Sequence, residues 1–135
     1  MEKVFVDTSG WVALFVQNDR NHRKAASVFE DLKRGRAMLY TSDYIVDETV
    51  TVILMRGDHR ESVVAGEALL TSQLIKIVPV YPSHFKAAWE AYKKYKDKKF
   101  SFTDVTSFSI MKDAGIHKAF SFDSDFTQSG FEVLN

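Results

Sequence analysis

The sequence predicts an α/β fold in which helices pack on a mostly parallel sheet, and three observations carry that prediction. Short apolar strand patterns alternate along the whole chain with longer stretches of helical spacing. Neighbouring parallel strands need crossover connections, which helices of this length supply. The chain of 135 residues is 45% hydrophobic and 27% charged, with 2 prolines and 6 glycines. That size and composition suit one stable globular domain, taken here to span residues 1–135.

The elements follow in order. "KVFVD" is a short apolar run closed by an acid and reads as a buried strand, after which "TSGWVALFVQND" opens on a hydroxyl residue and continues with helical spacing. "RNHRKAASVFEDLKRG" reads as a charged amphipathic helix closed by Gly35. "AMLYTS" is a second strand, leading to a helix over residues 43–56 that Gly57 ends. A polar turn precedes the helix "ESVVAGEALLTSQ" and the strand "IKIVPV", where Pro79 marks an edge or a strand end. "PSHFKAAWEAYKKYKDKK" has a candidate hydroxyl cap at Ser83 and helical spacing of Phe85, Ala88, Trp89 and Tyr92. Residues 103–114 form a further helix, "KAFSF" a strand and "FEVL" a final short one. The apolar faces of Trp11, Val12, Leu14, Phe15 and Val16, and of "VVAGEALL", read chiefly as core.

Several function classes are disfavoured at once. No apolar run approaches the length of about 20 residues that spans a bilayer, and "EKVFVD" has no signal-peptide pattern, so a cytoplasmic protein is expected. Zero cysteines exclude disulfides and thiolate metal sites, and His22, His59, His84 and His117 lack ligand-like spacing. Eighteen basic and 18 acidic side chains balance, so any nucleic-acid contact must come from local clustering of charge.

Four carboxylates stand where the pattern calls for something else. Asp7 ends the first strand and Asp123 follows the apolar "AFSF" in the same relation, which sends both to the carboxyl edge of the sheet, where ligands of such folds gather. Glu48 shares a helix face with Tyr44 and Val52, and Asp104 shares one with Phe108 and Met111. Three have a structural reading, Asp7 as a helix cap, Asp104 as the partner of Ser101 in a capping box and Asp123, with Asp125, as a turn former, whereas Glu48 lies in the second helical turn, where capping no longer helps. Together they imply more. Four converging carboxylates repel one another unless a cation neutralises them, and no basic residue stands beside them in sequence. Oxygen-only donors favour Mg²⁺ or Mn²⁺, ions that pair with phosphate oxygens and serve phosphodiester hydrolysis.

In order and spacing, "VFVDTSGW", "TSDYIVDETVTVIL", "SFTDVTSFSIMKDAGI" and "AFSFDSDFTQSGF" resemble the four motifs of PIN-domain ribonucleases, and in particular the VapC toxins of toxin-antitoxin pairs. The resemblance covers essentially the whole chain. It implies a three-layer α/β/α sandwich, an acidic Mg²⁺ or Mn²⁺ site, and endoribonuclease activity on structured RNA such as tRNA or ribosomal RNA. Carried over by position, the acidic set is Asp7, Glu48, Asp104 and Asp123, with Asp125 an outer contributor and Thr8 or Ser9 holding the first carboxylate or a metal-bound water. An antitoxin partner and a homodimer are implied as well.

"YKKYKDKKF" offers Lys93, Lys94, Lys96, Lys98 and Lys99 with Tyr92, Tyr95 and Phe100 interleaved, a candidate RNA track that is equally readable as a solvated helix end. Arg20, Arg23 and Lys24 form a second candidate patch. Among rivals, a haloacid-dehalogenase-like phosphatase wants an acid where Ser9 stands, and a phospho-accepting receiver wants an acidic pair where "VFVDTS" has one acid. No G-x-G-x-x-G follows a strand. The remaining rival is a non-catalytic RNA- or protein-binding module of the same fold.

Overall fold

The frame of the protein, described over residues 2–135 of a computed structural model, is a five-stranded sheet in the order β3-β2-β1-β4-β5 with every pairing parallel. The strands are β1 (Lys3–Val6), β2 (Met38–Ser42), β3 (Ile75–Val78), β4 (Lys118–Phe120) and β5 (Glu132–Leu134). The helices are α1 (Thr8–Phe15), α2 (His22–Arg34), α3 (Asp43–Arg56), α4 (His59–Thr71), α5 (Pro82–Lys94), α6 (Phe102–Ala114) and α7 (Asp125–Gln128). The steps β1 to β2 and β2 to β3 run in one direction, so right-handed crossovers put α1–α4 on one face; the return from β3 to β4 puts α5 and α6 on the other. The result is an α/β/α sandwich in which α1 packs on α2 and α3, α3 on α4, and α5 on α6.

The centre of the sheet is dry. Val4, Phe5 and Val6 of β1 and Ala119 and Phe120 of β4 are fully buried, as expected of strands covered on both faces. Phe126 stacks on Phe5 (6.4 Å between ring centroids) and meets Phe108 edge-on at 5.1 Å, which ties α6 and α7 to β1. Each such ring contributes about 2–3 kcal/mol through the apolar surface it removes from water. Trp11 is buried with its one polar atom satisfied: Nε1 donates to Thr41 Oγ1 (3.2 Å), whose hydroxyl donates to the Val6 carbonyl (2.9 Å). Gly10 lets the first turn of α1 approach β4, since a Cβ there would lie 2.7 Å from the Phe120 carbonyl oxygen.

Several expectations need correction. Ser83 does not cap α5: the helix starts at Pro82, which lacks the N–H a cap would satisfy, and Tyr81 holds the cap position without a side-chain bond. That helix also stops at Lys94, because Tyr95 turns to meet Phe100 edge-on at 4.9 Å. On α4 the buried residues are the small Ser62, Ala65 and Gly66 together with Leu69, whereas Val64 (60% exposed) and Leu70 (63%) face outward. "VVAGEALL" is therefore core along one narrow stripe only. Finally, α4 begins two residues before "ESVV", at His59, capped by Asp58 accepting the Glu61 N–H (2.8 Å), and the short α7 has no counterpart in the sequence reading. Pro79 does follow directly on β3, which is an edge strand.

Candidate active site

β1 and β4 lie side by side in register, Val6 opposite Phe120, so the residues that follow them emerge together at the carboxyl edge of the sheet. Asp7 comes first, fully enclosed at 4% exposure. It caps α1: Oδ1 accepts the Gly10 N–H (3.0 Å) and the Ser9 hydroxyl (2.7 Å), and Oδ2 accepts the Ser121 hydroxyl (2.9 Å). Ser9 Oγ in turn accepts the Phe122 N–H (2.9 Å) and Ser121 Oγ the Asp123 N–H (3.0 Å), which staples the loop after β4 to the start of α1. Burial pushes the Asp7 carboxyl up to about 6; its three donors oppose the rise and the charge of Asp123 adds to it.

The other acids arrive from three further elements. Glu48 projects from the second turn of α3 and accepts a hydrogen bond from the Thr8 hydroxyl. Asp104 sits in the first turn of α6 in a complete capping box: its N–H donates to Ser101 Oγ (3.0 Å) and its Oδ2 accepts the Ser101 N–H (3.0 Å). Burial, then the Asp125 carboxyl beside it, pushes Asp104 up to about 8. Asp123 is raised too, by burial first and by Asp125, although its Oδ1 accepts the Asp125 N–H (3.1 Å). One oxygen each of Asp104, Asp123 and Asp125 lies within 4.8 Å of the other two.

Asp7, Glu48, Asp104 and Asp123 line one cleft of about 680 Å³. Asp125, ranked below them from the sequence, does not line it but belongs to the tightest oxygen cluster. The capping and turn-forming roles foreseen for Asp7, Asp104 and Asp123 are all present, and each of these carboxylates keeps lone pairs to spare. The donor set is all oxygen, and among the described residues no Lys or Arg nitrogen comes within 4.0 Å of Asp104, Asp123 or Asp125. Carboxylate oxygens held this close, with no cationic side chain between them, suit a hard divalent cation.

None of Lys93, Lys94, Lys96, Lys98 and Lys99 lines the cleft, and Lys93 pairs with Glu90 at 3.0 Å. The interleaved aromatics do not offer free faces as a set: Phe100 is buried against Phe108, and Tyr92 stacks on Trp89. The second patch fares differently, since Arg20 does line the cleft, together with Asp19 and Asn21. Sequence reasoning missed Ser121 and Arg56. The signal for Arg56 was available: Glu48, Val52 and Arg56 recur every four residues along α3, and all three line the cleft.

A family model described as PIN domain matches residues 4–132. Over 128 residues, 95% of each chain, the sequence is 34% identical to a Mycobacterium tuberculosis protein named 23S rRNA-specific endonuclease VapC20. The crystal structure of that organism's VapC20, titled a sarcin-ricin loop cleaving toxin, superposes with a TM-score of 0.85 at 33% identity, covering 95% of both chains. VapBC2 from Rickettsia felis, bound to a promoter DNA fragment, superposes with a TM-score of 0.72 over 97% of this chain and 96% of the other. At 10% identity that second likeness speaks for the fold alone.

Proposed function

This chain belongs to the PIN-domain family, and from that premise we propose that it is a metal-dependent endoribonuclease that hydrolyses phosphodiester bonds in structured RNA, acting as the toxin of a VapBC-type pair. The observation that carries the proposal is the gathering of Asp7, Glu48, Asp104 and Asp123 from four separate elements into one cleft. The relative named for 23S rRNA cleavage, similar over nearly the whole chain, makes ribosomal RNA the first substrate to try.

The residues divide the work. Asp104, Asp123 and Asp125 would hold Mg²⁺ or Mn²⁺, with Asp7 and Glu48 completing the acidic wall. Such an ion supplies Lewis-acid activation of water and neutralises charge developing on the phosphate. Ser9 and Ser121 fix the orientation of Asp7 from both sides, and Thr8 fixes Glu48, so the carboxylates need little reorganisation when substrate arrives. No serine, histidine or cysteine nucleophile is required, because attack comes from water.

The outward apolar side chains Leu54 and Met55 on α3 and Val63, Val64 and Leu70 on α4 support protein partners, a second copy of the chain and an antitoxin. The test of the activity is cleavage of a sarcin-ricin hairpin and of a total tRNA pool by purified protein with Mn²⁺, with EDTA, and with Asp104→Asn. Defined fragments that vanish in both controls are expected. No cleavage, combined with no rise in melting temperature on adding Mn²⁺, would leave a binding module as the better reading.

A further inference from the structure

An acidic cleft repels the RNA backbone it has to cut, so the cleft needs a cation of its own. Among the described residues it contains two, Arg20 and Arg56, and they are not equivalent. Arg56 is committed: its Nη1 lies 2.8 Å from Asp19 Oδ2, and Asp19 is held in turn by the Asn21 N–H (2.8 Å). Arg20 is exposed and makes no ion pair with any described residue. The turn that carries it is braced from both ends. The Asp19 N–H donates to the Val16 carbonyl (3.0 Å), the His22 N–H to the Asp19 carbonyl (3.0 Å), and His22 Nδ1 meets the Ala13 carbonyl (2.8 Å). An unpaired guanidinium on a braced turn, opening on the same cleft as Asp7, Glu48, Asp104 and Asp123, matches what a phosphate anchor requires: a fixed two-pronged donor whose charge is not already spent.

We infer that Arg20 binds a backbone phosphate next to the scissile bond and sets the register of the RNA, while the Asp19–Arg56 pair holds its turn in place. This rests on the nuclease reading above for its purpose, but not for its test. A labelled sarcin-ricin hairpin is titrated with the full-length protein in EDTA over a salt series, so that RNA is bound without being cut. Wild type, Arg20→Ala, Arg20→Lys and the distant control Lys33→Ala are compared.

Arg20→Ala weakens binding about tenfold and flattens the plot of log affinity against log salt by about one. Arg20→Lys keeps the slope and loses part of the affinity, because the charge remains and the fork does not. With Mn²⁺ the Arg20→Ala variant shows a raised KM and a kcat near that of wild type, the signature of lost uniform binding. Its melting temperature is unchanged. Arg20→Ala matching Lys33→Ala in affinity and slope, or wild type failing to bind the RNA, overturns the inference. An effect of Arg20 on binding with no cleavage by wild type in Mn²⁺ would leave the anchor standing and remove the nuclease.

Discussion

Replacing Asp7 with Asn in metal-free protein should stabilise the fold at neutral and higher pH, and the size of the gain follows from the site. The carboxyl is 4% exposed and its pKa rises from the ordinary 3.8 to about 6, burial outweighing three hydrogen-bond donors. At ~1.4 kcal/mol per pH unit, the ionised group costs the native state roughly 3 kcal/mol once the pH exceeds its folded pKa. Below the unfolded pKa the group is protonated in both states and the cost disappears. Stability without metal therefore climbs as pH falls from about 6 towards 4, the reverse of the usual behaviour of a paired aspartate.

Asn keeps the shape and cannot ionise. Its amide oxygen still accepts from Ser9 and Gly10, and its NH₂ meets Ser121, whose hydroxyl can swing towards the Asp123 carbonyl 3.4 Å away. Allowing ~1 kcal/mol for weaker bonds to a neutral acceptor leaves a net gain of roughly 2 kcal/mol, or about 6–8 °C in melting temperature for a chain of this size. The assay is thermal unfolding in EDTA across pH for wild type and Asp7→Asn. Asp104 is raised in both proteins, so the difference between their curves isolates Asp7. A variant less stable than wild type at about pH 8, or a difference that does not shrink as the pH falls, would refute the account of a penalised carboxylate.

Four further outcomes are expected. Asp104→Asn should lower cleavage by at least about a hundredfold while leaving the fold intact, since its amide oxygen can still accept the Ser101 N–H; single-turnover cleavage and a melting curve check both halves. Ser121→Ala removes a donor from Asp7 and an acceptor from the Asp123 N–H, and should weaken Mn²⁺ binding about tenfold by calorimetry. Gly10→Ala, with a Cβ 2.7 Å from the Phe120 carbonyl oxygen, should cost about 1–3 kcal/mol in urea unfolding. Leu70→Asp, on the outward face of α4, should leave stability unchanged within about 0.5 kcal/mol while reducing any self-association seen by sedimentation.

The architecture was legible because its signals are local. Strands such as "KVFV" are continuous apolar runs, and Ser42, Asp43 and Gly57 bracket α3 within the chain itself. The acids were legible because they break a pattern: Glu48 and Asp104 stand in apolar stripes, and Asp7 and Asp123 close apolar runs. Ser83 misled because a hydroxyl near a helix start has the same appearance whether or not Pro82 has already removed the need for it. Val64 and Leu70 misled because small residues on the opposite side of α4 are enough to pack it on α3, where Gly66 passes Val50. Arg20 stood out only as part of a basic patch, and its place in the cleft, like the role of Ser121, could be found only once the topology was known. Their roles depend on elements brought together from far apart in sequence, as in the bond from Ser121 to Asp7.

The position of β1 at the middle of the sheet has a consequence for synthesis. Its partners are β2 and β4, the latter starting at Lys118, and the carboxylate cluster waits on Asp104, Asp123 and Asp125. While the N-terminal two-thirds of the chain leave the ribosome, Asp7 and Glu48 are present but have nothing to converge with. The cleft closes only when β4 slides in beside β1. The carboxylate cluster is thus a late product of folding, complete only once β4 has paired with β1.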